Sequence, residues 1–188
     1  MDQKNAFLGT EPIGRLLFRL AIPTVIAQGA QPILSYNYGA KNVERVRKTF
    51  RVLLTVCLTY SALIWAFVML CPRVFAGVFT PDAELIEFTG RALRIYCAVL
   101  AIFGIQRACQ ITFVSIGKAV CFIIVAVMRK FVLLIPLIYL MPHLVPDQTL
   151  GVYLAEPVAD TLAVTFTSIL FSHQFRKALR TLEAERNA

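Results

Sequence analysis

Four apolar stretches, at 52–71, 92–117, 119–145 and 148–172, dominate the chain, and none is shorter than 20 residues. A helix needs roughly 20 residues to cross a hydrocarbon core, and as a helix it satisfies its own backbone polar groups there. The first stretch, Val52 to Cys71, carries no charged residue. Hydrophobic residues make up 58% of the chain, above the roughly 45–50% of soluble domains. The pattern predicts an all-α membrane protein with about four full transmembrane helices.

Lys and Arg total 19 against 11 Asp and Glu, an excess that would also suit a nucleic-acid binder. Where the charges sit decides between the two. Lys41, Arg45, Arg47, Lys48 and Arg51 precede the first run, Lys118 lies between the second and third, and Arg176, Lys177, Arg180 and Arg186 fill the tail. The loop between the third and fourth runs has no Lys or Arg, and the loop after the first mixes Arg73 and Arg91 with Asp82, Glu84 and Glu87. This alternation is a topology signal. It predicts a multi-pass protein with residues 41–51, Lys118 and the C-terminus cytoplasmic, for which the plasma (inner) membrane is the expected location. Nucleic-acid binding would need basic and aromatic groups gathered on one water-facing surface, a pattern not visible here.

Smaller features follow the same logic. Cys57, Cys71, Cys97, Cys109 and Cys121 are scattered without a CxxC pair, so they read as packing residues rather than a metal site or disulfide framework. No cofactor is expected. The start of the chain lacks a signal-peptide pattern. The basic tail, 173–188, sets Phe175 and Leu179 beside Arg176, Lys177 and Arg180, which predicts an amphipathic helix lying along anionic lipid.

Residues 20–36, "LAIPTVIAQGAQPILSY", are uncharged but have basic residues on both flanks, so a single crossing conflicts with the charge rule. Either a part of the pattern is missing here, or the segment is an irregular N-terminal membrane segment that enters and leaves on one side. Near its end, Gln31, Pro32, Tyr36 and Asn37 read as helix-end residues, the polar ones able to face a polar cavity or to satisfy backbone at the interface, and Asn37 with Gly39 suits a helix exit.

Two groups of polar residues lie inside the apolar runs. Gln106, Gln110, Phe113 and Gly117 recur at intervals of four, three and four, on one helical face. They could line a substrate cavity, with amides bonding to varied ligands and Phe113 stacking on flat aromatic cations, or they could simply bond helix to helix. Arg107, Arg129, Lys130, Glu156 and Asp160 are the costly residues, since a charge at the centre of a membrane helix costs roughly 2.5–3.5 kcal/mol even on insertion scales. At 1.5 Å per residue, Arg107 lies about 15 Å from Gly117, Arg129 about 15 Å from Ala119, and Asp160 about 18 Å from Gln148, so all three come out near mid-membrane. Arg107 and Arg129 are the expected charge partners of the acids. Glu156 and Asp160 share a face one turn apart, and Pro157 between them leaves the Tyr153 carbonyl without its usual donor. Such a pair either couples cation movement to transport or forms an ion pair that fixes helix register.

Several segments carry a family resemblance: "GAQPILSYNYGAKNVERVRKTF", "ALRIYCAVLAIFGIQRACQITFVSIGKA", "RKFVLLIPLIYLMP" and "YLAEPVADTLAVT". They resemble the multidrug and toxic compound extrusion (MATE) transporters, from the end of the eighth helix through the twelfth. Residues 8–24, "LGTEPIGRLLFRLAIPT", resemble instead the start of the family's first helix. The resemblance therefore divides the chain into a first-helix stub, 1–27, and a partial C-terminal lobe, 28–188, joined near Val25 to Gln28 as in an internally deleted or truncated product. The family packs two six-helix lobes about a central cavity and exports organic cations in exchange for protons or sodium ions. It implies Glu156 and Asp160 as the cation-coupling pair, a gating role for Gln31, Pro32, Tyr36 and Asn37, and the lipid bilayer and organic cations as partners. Arg107 stands where the family would have an apolar residue, and the acid that members commonly carry on the first helix would lie beyond Thr24.

The leading expectation is MATE-like proton- or sodium-coupled efflux, incomplete as a single chain unless it forms a homo-oligomer or joins a full-length transporter. The alternative is a membrane remnant or assembly partner that transports nothing. No GxSxG, HExxH or P-loop motif points to an enzyme.

Overall fold

The computed structural model describes residues 28–77 and 81–187, and all elements among these residues are helical. Helix α1 occupies 28–39, α2 Val43–Leu70, α3 Pro72–Ala76, α4 Ala83–Tyr96 and α5 Leu100–Ser115. Helix α6 runs Ala119–Leu144 with a π-helical stretch at Met128–Leu134, and α7 runs Gln148–Asn187. The proposed junction near Val25 lies outside the described residues. Of the segment read as irregular, the described part is regular helix.

Local sequence explains the boundaries. Asn42, Asp82 and Asp147 each accept hydrogen bonds at a helix start, from Arg45 N, from Glu84 N and Leu85 N, and from Thr149 N and Leu150 N. α5 closes with Gly117 at φ 74°, where Gly117 N bonds Val114 O and Lys118 N bonds Phe113 O. That is the paired bonding of a left-handed helix stop. α1 closes in the same way, with Lys41 N on Tyr38 O and Asn42 N on Asn37 O, but the residue at positive φ (55°) is Lys41. The exit thus falls two residues beyond Gly39, and Asn42 ends one helix while capping the next.

Among the described residues, three helices are long and apolar enough to cross a membrane, Val43–Leu70, Ala119–Leu144 and Gln148–Arg186, and α4 with α5 forms a fourth candidate bent by 53°. The sequence between Leu93 and Phe103 has neither Pro nor Gly, so it gives no sign of this bend. At the break the Trp65 indole donates to the Ala98 carbonyl at 2.9 Å, satisfying a group that an unbroken helix would have bonded itself. The π stretch in α6 precedes Pro136, whose ring crowds the carbonyl four residues back; Ile135 N bonds Lys130 O, five residues back, in the wider turn.

α2 packs most extensively on α5, and α7 packs on both α5 and α6. A β-carbon on Gly104 would lie 2.5 Å from the Cys57 carbonyl oxygen, so here only a glycine lets the α2 and α5 backbones meet. The core lies toward the end where α1, the start of α2, the α5–α6 turn and the end of α7 converge. Leu34, Val46, Leu53, Ala108, Leu179 and Leu182 pack there, beside a second cluster of Cys109, Phe113, Val125 and Phe171.

The tail departs from its expected position along lipid. α7 continues unbroken to Asn187, about 60 Å, twice the hydrocarbon thickness. Its Leu179 and Leu182 are buried against Leu34, Val43 and Val46. The apolar face of the tail meets protein, because α1 and α2 offer it a complementary apolar surface.

Candidate functional site

The intramembrane charges converge on one arginine. Arg129, in the π-helical stretch of α6, reaches across to α7, where Nε donates to Asp160 Oδ1 at 2.5 Å and Nη2 to Glu156 Oε1 at 2.9 Å. Each carboxylate side chain is 10% exposed and the arginine 16%. Lys130 Nζ lies 3.8 Å from Glu156 Oε1 but is half exposed. A forked guanidinium can bond two carboxylates at once, which a lysine ammonium does with less directional control.

The helix break supplies the rest of the shell. The Phe103 ring of α5 lies beneath the Arg129 guanidinium, 4.7 Å from Cζ to the ring centroid. Tyr96, the last residue of α4, lies close enough to Glu156 and Asp160 to interact with them electrostatically. The cluster thus draws on four segments: the end of α4, the start of α5, the π stretch of α6 and the first third of α7. Thr161 Oγ1 bonds the Pro157 carbonyl at 2.7 Å beside the acids.

The other expected site residues are placed differently. Arg107 is exposed and forms no ion pair with the acids; it is close enough to act electrostatically on Cys57 of α2. Gln106 and Phe113 lie inside the helix packing, 1% and 0% exposed, rather than on an open wall. Phe113 stacks edge-on against Phe171, with centroids 5.3 Å apart, so a ligand cannot reach its face in this arrangement. Gln110 is partly buried, and Gln106 Oε1 has no hydrogen-bond partner among the described residues. In α1, Asn37 is buried and its Nδ2 donates to the Ile33 carbonyl at 2.7 Å, the work of a helix end. Gln31 is partly buried, while Pro32 and Tyr36 are exposed.

Tyr96, Phe103 and Trp65 escaped the sequence reading. The first two stand seven residues apart, a two-turn spacing that would have put them on one face, but the break between them changes the geometry.

The fold and this cluster define a multi-pass helical membrane protein with a charge network inside its helices. A family model described as MatE matches residues 15–140, and the chain belongs to the MATE transporter family. The match ends before α7, so it does not extend to Glu156 or Asp160. Among solved structures, that of the MATE multidrug transporter DinF-BH, determined as a complex, is similar at 33% identity and a TM-score of 0.75. An inward-facing multidrug resistance MATE family transporter of the MOP superfamily (18%, 0.73) and Vibrio cholerae MATE transporter VcmN in the bent form (20%, 0.72) share the fold. Each alignment covers 89% of this chain, which spans only 37–39% of those proteins. No curated protein sequence gives a significant match.

Proposed function

We propose that the chain contributes one lobe of a cation-coupled multidrug antiporter, exporting organic cations in exchange for protons or sodium ions. The observation that carries this reading is the pair Glu156 and Asp160 on a single arginine beside a broken helix. Discontinuous helices near the midplane are where transporters bind coupling ions, because freed backbone groups and buried charges can rearrange there. In this account the carboxylates take up a cation when Arg129 withdraws and release it when the ion pair reforms. The basic end, with residues 41–51, Lys118 and the end of α7, faces the cytoplasm of the plasma (inner) membrane.

The described helices supply one wall of a central cavity, and transport uses a second lobe opposite it. Gln106, Gln110 and Phe113 serve this function by holding α5 in its packing, and Gln31, Pro32, Tyr36 and Asn37 by ending α1 where the lobe meets the cytoplasm. A second reading is a membrane protein that assembles with a transporter but moves nothing itself, with the Arg129 ion pairs serving only to fix the register of α6 against α7.

Proteoliposomes with an imposed proton or sodium gradient separate the two. Gradient-driven movement of a fluorescent organic cation should fall to the level of empty vesicles in Glu156→Gln or Asp160→Asn. Correctly inserted chain that gives no flux, alone or with a full-length relative, supports the second reading.

A further inference from the structure

We infer that the groove between the start of α2 and the end of α7 is a binding site for the headgroup of an anionic phospholipid. It has a volume of about 510 Å³, and Arg51 from α2 and Arg176 and Arg180 from α7 line it, together with Arg47. Arg47 is neutralised by Glu183, at 3.1 Å. The other three arginines are exposed and form no ion pair among the described residues. Three exposed guanidiniums from two helices line one groove without a protein counter-ion among the described residues, and planar guanidinium forks match phosphate oxygens well.

The floor of the groove is apolar. Phe50 and Phe175 line it, with ring centroids 5.1 Å apart, and both rings continue into Phe171 at 4.7 and 4.9 Å. Arg51 directly precedes the uncharged run that begins at Val52, and Arg176 follows the apolar run that ends at Ser172. The arginines therefore stand at headgroup level, with the aromatic rings beside the first methylenes of an acyl chain. Charge above and aromatic carbon below is the division found in a phospholipid, whereas a soluble phosphate would gain nothing from the rings. The site rests on the membrane reading alone, not on the transport proposal.

Native mass spectrometry of the full chain in detergent tests it, with phosphatidylglycerol, phosphatidylcholine and inorganic phosphate offered separately. The chain should retain phosphatidylglycerol in preference to the other two. Each arginine near an anionic headgroup is worth about fivefold in affinity, so Arg51→Gln/Arg176→Gln/Arg180→Gln should lose about a hundredfold. Arg73→Gln/Arg91→Gln/Arg94→Gln, the same charge change at the opposite end, should keep the preference. Equal retention of phosphatidylcholine or phosphate by the unaltered chain overturns the assignment whether or not the variants fold. So does a folded triple variant that still holds phosphatidylglycerol.

Discussion

Two regions of the chain use the same kinds of ion pair in different surroundings. At the basic end Lys41 meets Glu185 at 3.3 Å and Arg47 meets Glu183 at 3.1 Å, with side chains 42–52% exposed. In the helix interior Arg129 meets Glu156 and Asp160 at similar or shorter distances with side chains 10–16% exposed. Water and salt screen the first pairs, so their formation is nearly neutral. The second group has given up hydration and depends on its partners, so removing the arginine leaves two buried carboxylates with only the half-exposed Lys130, 3.8 Å from Glu156, to offset them. Geometry alone would rank the two regions alike, and burial separates them.

Substitutions should bring out that contrast in graded form. Arg129→Met strands two carboxylates one turn apart and should cost about 3–5 kcal/mol, measured as loss of resistance to unfolding in detergent by circular dichroism. Trp65→Phe removes the donor to Ala98 at the break that shapes the same cluster, and should cost about 1 kcal/mol in that assay. Arg47→Ala or Lys41→Ala at the basic end should cost less than about 1 kcal/mol and should lose even that in high salt. A larger penalty for either exposed pair than for Arg129 would reverse the ranking.

How much of this was legible beforehand depended on what each residue had to satisfy. The apolar runs marked the spans because hydrocarbon length is a constraint that a sequence must meet in full. α2 nevertheless begins at Val43, nine residues before its apolar run, because Asn42 caps it and its basic first turns lie outside that run. Depth counting put Arg129 and Asp160 at the same level, and they do meet. The same counting put Arg107 there too, but depth says nothing of azimuth. α5 turns Gln106 inward and Arg107, a hundred degrees round, outward. The bend between α4 and α5 and the π stretch in α6 arise from contacts with other helices and from crowding by a proline, neither of which changes hydrophobic periodicity. The tail was misplaced because an apolar helix face fits lipid and protein equally well, and only the folded neighbours Leu34, Val43 and Val46 settle which it meets.

The central claim is that Arg129, Glu156 and Asp160 act as one buried unit. A double-mutant cycle measures that directly, by comparing the unfolding stability of Arg129→Met, of Glu156→Gln/Asp160→Asn, and of all three changes together. The account predicts a coupling of about 2 kcal/mol or more, with the neutralised acids recovering much of what Arg129→Met loses. Losses that simply add, to within about 0.5 kcal/mol, would contradict it.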